Sequence, residues 1–406
     1  MHVLFVEPTF PAYQRNFVRG LAEVGARVTG IGETAREYLP AEVKRYLHEY
    51  EQVPSVVDER SLLAAVRRAQ GREWVDRLEA TIEAHVLPAA KVREACGIPG
   101  TSVLTTWLCR DKPAMKEALR RAGIPCAQSA GISSPDEAWA FAEAVGYPII
   151  LKPRSAAGAS GTTRAGNPRE LAEAIQALGL EHGESVAAEE FIEGHEGFYD
   201  TITIDGQVAH EFISHYYPNV LEAMRERWIS PQVLTTNRIG SPGYDELKAM
   251  GRRVIEALGI GTSATHMEWF FGPRGLKFSE IGCRPTGQAQ WDIYCAANDF
   301  DLYREWAMAI VHGRVGDKPS YRYAAGMVGL RPDRDGRITG YQGIEEVHRA
   351  FGDAIFDAGF PSPGTPTQPV SAGYLANAWV RARHPDYDHL RHIFDTIGQT
   401  VRVFAS

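Results

Sequence analysis

The opening of the chain constrains its fold most strongly. The stretch HVLFV is apolar and strand-like, AYQRNFVRGLAEVG has the spacing of an amphipathic helix that stops at Gly25, and ARVTGIG is typical of a second strand. A strand, a helix and a strand in this order predict a βαβ unit and hence an α/β fold. The first turn carries Pro8, Thr9 and Pro11 where a dinucleotide-binding loop has glycines. The opening therefore indicates a Rossmann-like shape without its cofactor loop.

Length and composition limit the class of protein. With 406 residues, 44% of them hydrophobic, the chain is long enough for two or three domains. A formal charge of −8 offers no broad basic surface, so we expect no nucleic-acid partner. The first residues carry no basic leader, and their apolar run is too short for a membrane segment. The 5 cysteines form no C-x-x-C pair and no zinc spacing, which fits a reducing compartment. We expect a cytoplasmic protein without a membrane partner.

A lysine followed by a glycine-rich loop is the first candidate site. In YPIILKPRSAAGASGTTRAG, a short buried strand ends at Lys152. The loop after it holds glycines and hydroxyl residues that can turn N–H and O–H donors toward one anion. The candidates in this loop are Ser155, Gly158, Ser160 and Gly161. The pattern is that of a phosphate cradle, although a flexible surface hairpin with a solvated lysine has the same composition.

Two acidic segments follow in the chain. VAAEEFIEGHEGF carries Glu189 and Glu190 before an apolar pair, and then Glu196. Such a linker between two lobes can offer backbone N–H and C=O groups to a planar base, and a carboxylate a few residues later can bind a diol. Acidic residues before an apolar pair are equally typical of a solvated strand end.

The second acidic segment, THMEWFFGPRGLKFSEIGCRPTG, predicts a hairpin with strands over 264–271 and 275–281. Glu268 and Glu280 would lie on paired strands, close enough to share a hard cation such as magnesium. Arg284 follows in a tight Pro/Gly setting. A surface cluster of ion pairs would show the same residues.

Taken in order, these motifs resemble the ATP-grasp superfamily, in particular its carboxylate-amine ligase branch, which includes L-amino acid ligases. DKPAMKEALRRAGIPC is similar to the family's D-K-x-x-M helix, and GYPIILKPRSAAGASG to its lysine strand and glycine lid. EEFIEGHE is similar to its hinge, and HMEWFFGPRGLKFSEIGCRPTG to its metal hairpin. The resemblance extends from the βαβ opening to about residue 345.

The resemblance implies a role for each candidate residue. Lys112 and Lys152 would contact the ATP phosphates, beneath a lid that includes Ser155, Gly158, Ser160 and Gly161. The hinge would hold the nucleotide through Glu189, Glu190, Phe191 and Ile192, with Glu196 on the ribose. Glu268 and Glu280 would ligate Mg²⁺, for which Mn²⁺ could substitute. Arg284 would face the reacting carboxylate and the transferred phosphoryl group.

One position departs from the family pattern. The family has asparagine two residues after the second metal glutamate, and this chain has Gly282 there, followed by Cys283. Glycine has no side-chain oxygen, so a water or another residue would have to complete the metal shell. The resemblance therefore leaves open whether one or two ions bind. We interpret Cys283 as a small packing residue.

The resulting architecture is α/β (α+β) in three parts. A Rossmann-like domain covers residues 1–105, a two-lobed ATP-grasp domain covers 106–316, and a small β-rich accessory domain covers 317–406. Within the ATP-grasp domain, residues 106–188 form the small lobe with the glycine lid, and 189–316 form the central lobe with the metal hairpin.

The resemblance predicts an ATP-dependent ligase that joins a carboxylate to an amine, both amino acids, through an acyl phosphate with release of ADP and phosphate. Three alternatives share most of these motifs: a biotin-carboxylase-like enzyme that phosphorylates bicarbonate, a ligase that joins the acid to a thiol, and a non-catalytic ATP-binding regulatory protein. A homodimer is a further expectation.

Overall fold

The N-terminal domain is built on a parallel sheet. In the computed structural model, residues 1–154, 161–372 and 376–406 are described. The sheet has the order β3-β2-β1-β4 and consists of β1 (His2–Val6), β2 (Arg27–Gly32), β3 (Glu49–Gln52) and β4 (Arg77–Glu79). Its helices are α1 (Gln14–Glu23), α2 (Ala41–Lys44), α3 (Glu59–Arg72), α4 (Glu83–Ala95) and α5 (Val103–Leu108). The predicted βαβ opening is confirmed, because β1 and β2 pair in parallel on either side of α1.

The next lobe is an antiparallel sheet covered by helices. Its strands, in the order β5-β8-β6-β7, are β5 (Ser129–Ile132), β6 (Ile149–Pro153), β7 (Thr163–Ala165) and β8 (Val186–Glu190). The helices are α6 (Lys112–Arg121), α7 (Pro135–Val145) and α8 (Pro168–Ala177). Asp111, Ser134 and Asn167 cap them by accepting hydrogen bonds from backbone N–H groups three residues on. In each helix a capping residue immediately before the helical segment, with proline at the first or second position, marks the start in the sequence.

A large antiparallel sheet forms the centre of the molecule, and its strand order is β13-β12-β9-β10-β11-β14-β17-β16 over the described residues. The strands are β9 (His195–Ile204), β10 (Gln207–Tyr217), β11 (Gln232–Thr235), β12 (Ser263–Gly272), β13 (Gly275–Gly282), β14 (Ala324–Leu330), β16 (Ile355–Gly359) and β17 (Ala378–His384). The helices between them are α9 (Val220–Ala223), α10 (Asp245–Ala257), α11 (Gln290–Asn298) and α12 (Leu302–His312). The predicted hairpin is present as β12 and β13.

The C-terminal strands are continuous with this central sheet. β14 pairs with β11, and β17 pairs with β14. The remaining elements are α13 (Ile344–Phe351), α14 (Tyr387–Thr400) and a two-stranded sheet of β15 (Ile338–Gln342) and β18 (Arg402–Ala405). The proposed boundaries at 105 and 316 stay predictions, since the C-terminal region shares backbone hydrogen bonds with the central lobe.

The N-terminal domain packs directly against the central lobe. The ring of Phe17 on α1 lies 4.9 Å from Tyr303 and 5.1 Å from Trp306, both on α12. A Cβ atom on Gly20 would lie 2.7 Å from the Tyr303 carbonyl oxygen, so only glycine permits this approach. The contact brings the start of α4 to the central lobe. No helix in the described ranges is long and apolar enough to cross a membrane.

Candidate active site

A cavity of about 770 Å³ is lined by residues of the small lobe and of the central sheet. The predicted site residues that line it are Lys112, Lys152, Glu189, Glu190, Phe191, Ile192, Glu196, Glu268, Glu280 and Arg284. They come from segments as far apart as α6 and the residues after β13, and folding brings them around one space. A volume of this size accommodates a nucleotide together with a small second ligand.

Lysines and glutamates alternate on one wall of this cavity. Lys112 Nζ, at the start of α6, lies 3.3 Å from Glu280 Oε2. Lys152 Nζ, near the end of β6, lies 2.8 Å from Glu189 Oε2 and 3.9 Å from Glu280 Oε2. The two lysines therefore lie close to the same carboxylate, and their charges are concentrated beside Glu280 in the lining of the cavity.

Lys116 completes this cluster beneath the cavity. Its side chain is fully buried, and Nζ lies 2.6 Å from Glu189 Oε2. Burial alone would raise the pKa of Glu189, but the ammonium groups of Lys116 and Lys152 outweigh it and lower the pKa to about 2. Burial lowers the pKa of Lys116 to about 8, although Glu189 opposes this shift. Glu189 is thus an anion held between two lysines.

We expect Lys116→Met to weaken both the fold and nucleotide binding. Without the charge of Lys116, only Lys152 would balance Glu189. Glu189 would then hold Lys152 more tightly, and Lys152 is the lysine predicted to bind the phosphates. The free energy of unfolding should fall by about 1–3 kcal/mol, as for loss of part of a buried ion network. Denaturant unfolding and titration with an ATP analogue measure the two effects.

The double variant Lys116→Met/Glu189→Gln is the matched control, because it removes the anion together with its cation. It should recover part of the lost stability. Unchanged stability and unchanged nucleotide affinity in Lys116→Met would show that Lys116 does not tune this site.

The hairpin brings the two candidate metal ligands opposite each other. Glu268 on β12 pairs in register with Glu280 on β13, and a bulge follows between Glu268 and Trp269. Burial would raise the pKa of Glu280, but Lys112 and Lys152 lower it, so the group is a carboxylate at neutral pH. Two carboxylates in a cavity suit a hard cation that takes its other oxygens from phosphate and water. The described residues contain no group of three or more His, Cys, Asp or Glu side chains placed to hold a metal.

Gly282 lies next to the ion pair formed by Arg284 and Glu83. A Cβ atom at this position would lie 3.4 Å from Arg284 Cγ and 3.7 Å from Glu83 Oε2. A longer side chain here would therefore compete for space with that pair. The structure offers two carboxylates for the metal and leaves the number of ions a prediction.

Arg284 is anchored from the N-terminal domain. Its Nε donates to Glu83 Oε2 at 2.6 Å, and its Nη1 donates to the Pro285 carbonyl at 2.7 Å. Glu83 begins α4 and also lies 3.4 Å from Arg110 Nη1. The guanidinium of Arg284 lines the cavity in a fixed orientation, as a group that recognises planar oxyanions requires.

His266 is a further cation beside the metal ligands. Its Nδ1 lies 2.8 Å from Asp200 Oδ1, and its Nε2 lies 3.7 Å from Glu268 Oε1. Asp200 also accepts hydrogen bonds from the hydroxyls of Tyr294 and Thr286. Burial would lower the pKa of His266, but Asp200 and Glu268 together raise it to about 9. The imidazole is therefore protonated at neutral pH.

Known proteins resemble this chain in sequence and in fold. Residues 111–197 match the family model of the carbamoyl-phosphate synthase L chain, ATP binding domain. This segment contains Lys112 and Lys152, the two lysines predicted to bind phosphate, and the predicted hinge. The structure superimposes on an L-amino acid ligase from Bacillus licheniformis with a TM-score of 0.77, covering 100% of this chain and 98% of that one at 18% identity. The chain has the ATP-grasp fold.

Curated relatives are similar over much of the ATP-grasp chain. An L-arginine-specific L-amino acid ligase of Bacillus subtilis is 29% identical over 294 residues, which are 68% of each chain. An uncharacterized protein y4rH of Sinorhizobium fredii is 25% identical over 70% of this chain and 59% of its own length. An alanine-anticapsin ligase of Bacillus subtilis is 25% identical over 52% of this chain and 48% of its own. The predicted resemblance to ATP-grasp carboxylate-amine ligases is confirmed by these similarities. The match spans less than two thirds of two of these relatives.

The hinge of the ATP-grasp fold is fixed by arginines. Arg274, in the turn of the hairpin, donates to the Glu190 carboxylate and to the Phe191 carbonyl, the latter at 2.9 Å. The guanidinium of Arg164 lies 5.1 Å from the centre of the Phe191 ring. Contact of Glu189, Glu190, Phe191 and Ile192 with adenine stays a prediction.

Glu196 is buried beyond the hinge. Its Oε2 accepts a hydrogen bond from the Val220 N–H at 2.7 Å. Burial and the neighbouring Glu268 raise its pKa to about 8. Contact of Glu196 with a ribose stays a prediction.

The glycine lid is only partly described. Ser155, Gly158 and Ser160 lie outside the described residues. Gly161 has φ +70°, and a Cβ atom there would lie 3.0 Å from Pro153 Cγ, so glycine is favoured at this turn.

Four residues of this site have no predicted role in the sequence motifs: Glu83, Lys116, Asp200 and His266. For Lys116 the signal is its spacing, because residues four apart on a helix share a face and Lys112 starts α6. His266 stands two residues before Glu268, on the same side of β12. Glu83 and Asp200 have no such signal, since their partners are distant in the chain.

Proposed function

We propose that the protein is an ATP-dependent carboxylate-amine ligase that joins two amino acids and releases ADP and phosphate. The observation that carries the proposal is the convergence of Lys112, Lys152, Glu268, Glu280 and Arg284 on one cavity. The named ligases among the relatives support it. A cytoplasmic location, a homodimer and the use of Mn²⁺ stay predictions.

The first step makes the acid reactive. A carboxylate oxygen attacks the γ-phosphorus of ATP, the bond to the bridging oxygen breaks, and ADP leaves. Bound between Glu268 and Glu280, Mg²⁺ would neutralise phosphate charge and polarise the transferred group. Lys112 and Lys152 would hold the phosphates, and the fork of Arg284 would align the acid with them.

The second step forms the amide. The amine attacks the carbonyl carbon of the acyl phosphate, phosphate leaves as the C–O bond breaks, and the departing phosphate takes up the proton that the amine loses. The cationic His266 and Arg284 would stabilise the charge that develops beside the hairpin. The buried site would also shield the acyl phosphate from water.

A turnover assay with the full chain tests the proposal. With MgATP and a pool of the common amino acids, we expect ADP and phosphate in equal amounts, and release should depend on the amino acids. Hydroxylamine in place of the amine should give an ATP-dependent hydroxamate. AMP as the main product would contradict the mechanism. ADP release that required bicarbonate alone would support a carboxylase, and absence of turnover would support a regulatory ATP-binding protein.

A further inference from the structure

The floor of the cavity continues beyond the predicted metal ligands as an apolar strip. Tyr216 on β10 pairs in register with Val233 on β11, and Val233 pairs with Met327 on β14. All three side chains line the cavity, and Val233 and Met327 are only 6% and 8% exposed. Because directly paired residues point to the same face of a sheet, the three form one continuous surface. We call Tyr216, Val233 and Met327 the apolar strip.

The strip is in contact with the charged part of the site. The Phe198 ring lies 5.1 Å from the ring of Tyr216 and 5.0 Å from the ring of His266. Phe198 is also the register partner of Glu268. Phe198 therefore connects Tyr216 of the apolar strip to His266 and to Glu268, the predicted metal ligand.

The segment after Arg284 connects the reaction centre to the strip. Gln288 and Gln290 line the cavity, and Gln290 Nε2 donates to Thr235 Oγ1 at 3.0 Å. Thr235 lies on β11, two residues after Val233. An acid whose carboxylate is held at Arg284 can thus direct its side chain along this segment toward the strip.

The other apolar part of the cavity has a different location. Ile150, Phe191 and Phe270 line it near the hinge, where the resemblance places adenine. Phe270 lies on β12 and Val233 on β11, and the strands β9 and β10 separate them in the central sheet. A nucleotide with its phosphates at the lysines occupies the hinge region and leaves the strip for the second ligand.

The charges around the strip are already balanced or exposed. Arg381 on β17 is the register partner of Met327. Its Nη1 lies 3.3 Å from Asp292 Oδ2 and 3.1 Å from Asp357 Oδ2. Glu222, Arg225 and Glu226 also line the cavity, but they are exposed and belong to the segment that follows Val220. The strip itself presents carbon atoms and one phenol.

We infer that the acid activated by this protein is an amino acid with an uncharged, apolar side chain, selected by Tyr216, Val233 and Met327. The inference rests on the proposed ligase function for the identity of the reacting group. Burying a charged side chain against the strip has a desolvation cost that no charge within the strip offsets, whereas an apolar side chain gains from leaving water.

Binding and turnover test the inference separately. Leucine, methionine, phenylalanine, aspartate, glutamate, lysine and arginine are titrated into the full chain with Mg²⁺ and a non-hydrolysable ATP analogue. The apolar amino acids should bind at least ~10-fold more tightly than the charged ones. The same panel is then assayed for ATP-dependent hydroxamate formation, and the ranking should be the same.

Variants identify the residues responsible. Met327→Ala and Val233→Ala should each lower kcat/KM for leucine by ~10-fold, and Met327→Leu should keep the wild-type ranking. The matched control is Phe270→Ala at the hinge end, which should raise the KM for ATP and leave the ranking of acids unchanged.

The outcomes distinguish the inference from the proposed function. Preferred binding of charged amino acids, or a ranking that Met327→Ala and Val233→Ala leave unchanged, overturns the inference even if ADP is released. Selective binding of apolar amino acids with no ADP or hydroxamate from any acid overturns the ligase proposal, while the apolar specificity of the site stands.

Discussion

Glu280→Gln is expected to lower amino-acid-dependent ADP release by ~10² or more while the fold persists. Glu280 is the carboxylate that faces Glu268 and lies near both Lys112 and Lys152. The amide keeps the shape of the side chain but removes the charge, so the cation site loses one anionic ligand. A continuous assay of ADP release over a range of Mg²⁺ concentrations measures the loss, and circular dichroism checks the fold.

Glu211→Gln is the matched control for this change. Glu211 also lies on the central sheet, accepts a hydrogen bond from the Tyr199 hydroxyl at 2.6 Å and pairs with Arg252, but it does not line the cavity. We expect near wild-type turnover from it. Wild-type turnover of Glu280→Gln at millimolar Mg²⁺ would mean that the hairpin carboxylates are structural.

Arg284→Ala is expected to lower hydroxamate formation by ~10² or more and to change affinity for an ATP analogue by less than about threefold. Removal of the guanidinium takes away the planar donor that is predicted to face the acid, while the residues predicted to bind adenine, ribose and phosphates remain. Lys152→Ala should give the opposite result, because its ammonium group is predicted to meet the phosphates in the ground state. Calorimetric titration and the hydroxamate assay separate the two effects.

Glu83→Gln refines this prediction. Its carboxylate accepts the 2.6 Å hydrogen bond from Arg284 Nε, so the amide should leave Arg284 in place with a weaker hold. We expect a smaller loss of hydroxamate formation than in Arg284→Ala. If Arg284→Ala weakened nucleotide binding as much as Lys152→Ala does, Arg284 would be a nucleotide ligand and the acyl-phosphate proposal would lose its main residue.

The residues that sequence reasoning finds are those whose neighbours in the chain reveal them. Lys152 stands at the end of a β-branched strand and before a glycine-rich loop, and Glu268 and Glu280 flank a Gly-Pro-Arg-Gly turn that sets their pairing. In these cases the local pattern determines both the element and the direction of the side chain. The helix caps at Asp111, Ser134 and Asn167 are predictable for the same reason.

Other contacts depend on segments that are distant in the chain. Glu83 reaches Arg284 across 201 residues, and this contact requires α1 to pack against α12. Asp200 fixes His266 across 66 residues because β9 and β12 are neighbours in the central sheet. The spacing of motifs carries no information on such neighbours, so these partners could not be assigned.

The sequence by itself determined the order of elements, the α/β class and the resemblance to the ATP-grasp superfamily, because helix caps, glycine turns and strand patterns act over a few residues. Only the tertiary structure decided which charges compensate one another and where the cavity continues. The burial of Lys116 beside Glu189 and the alignment of Tyr216, Val233 and Met327 both arise from strand order and lobe packing. Burial is what makes these contacts strong, and burial is a property of the folded chain as a whole.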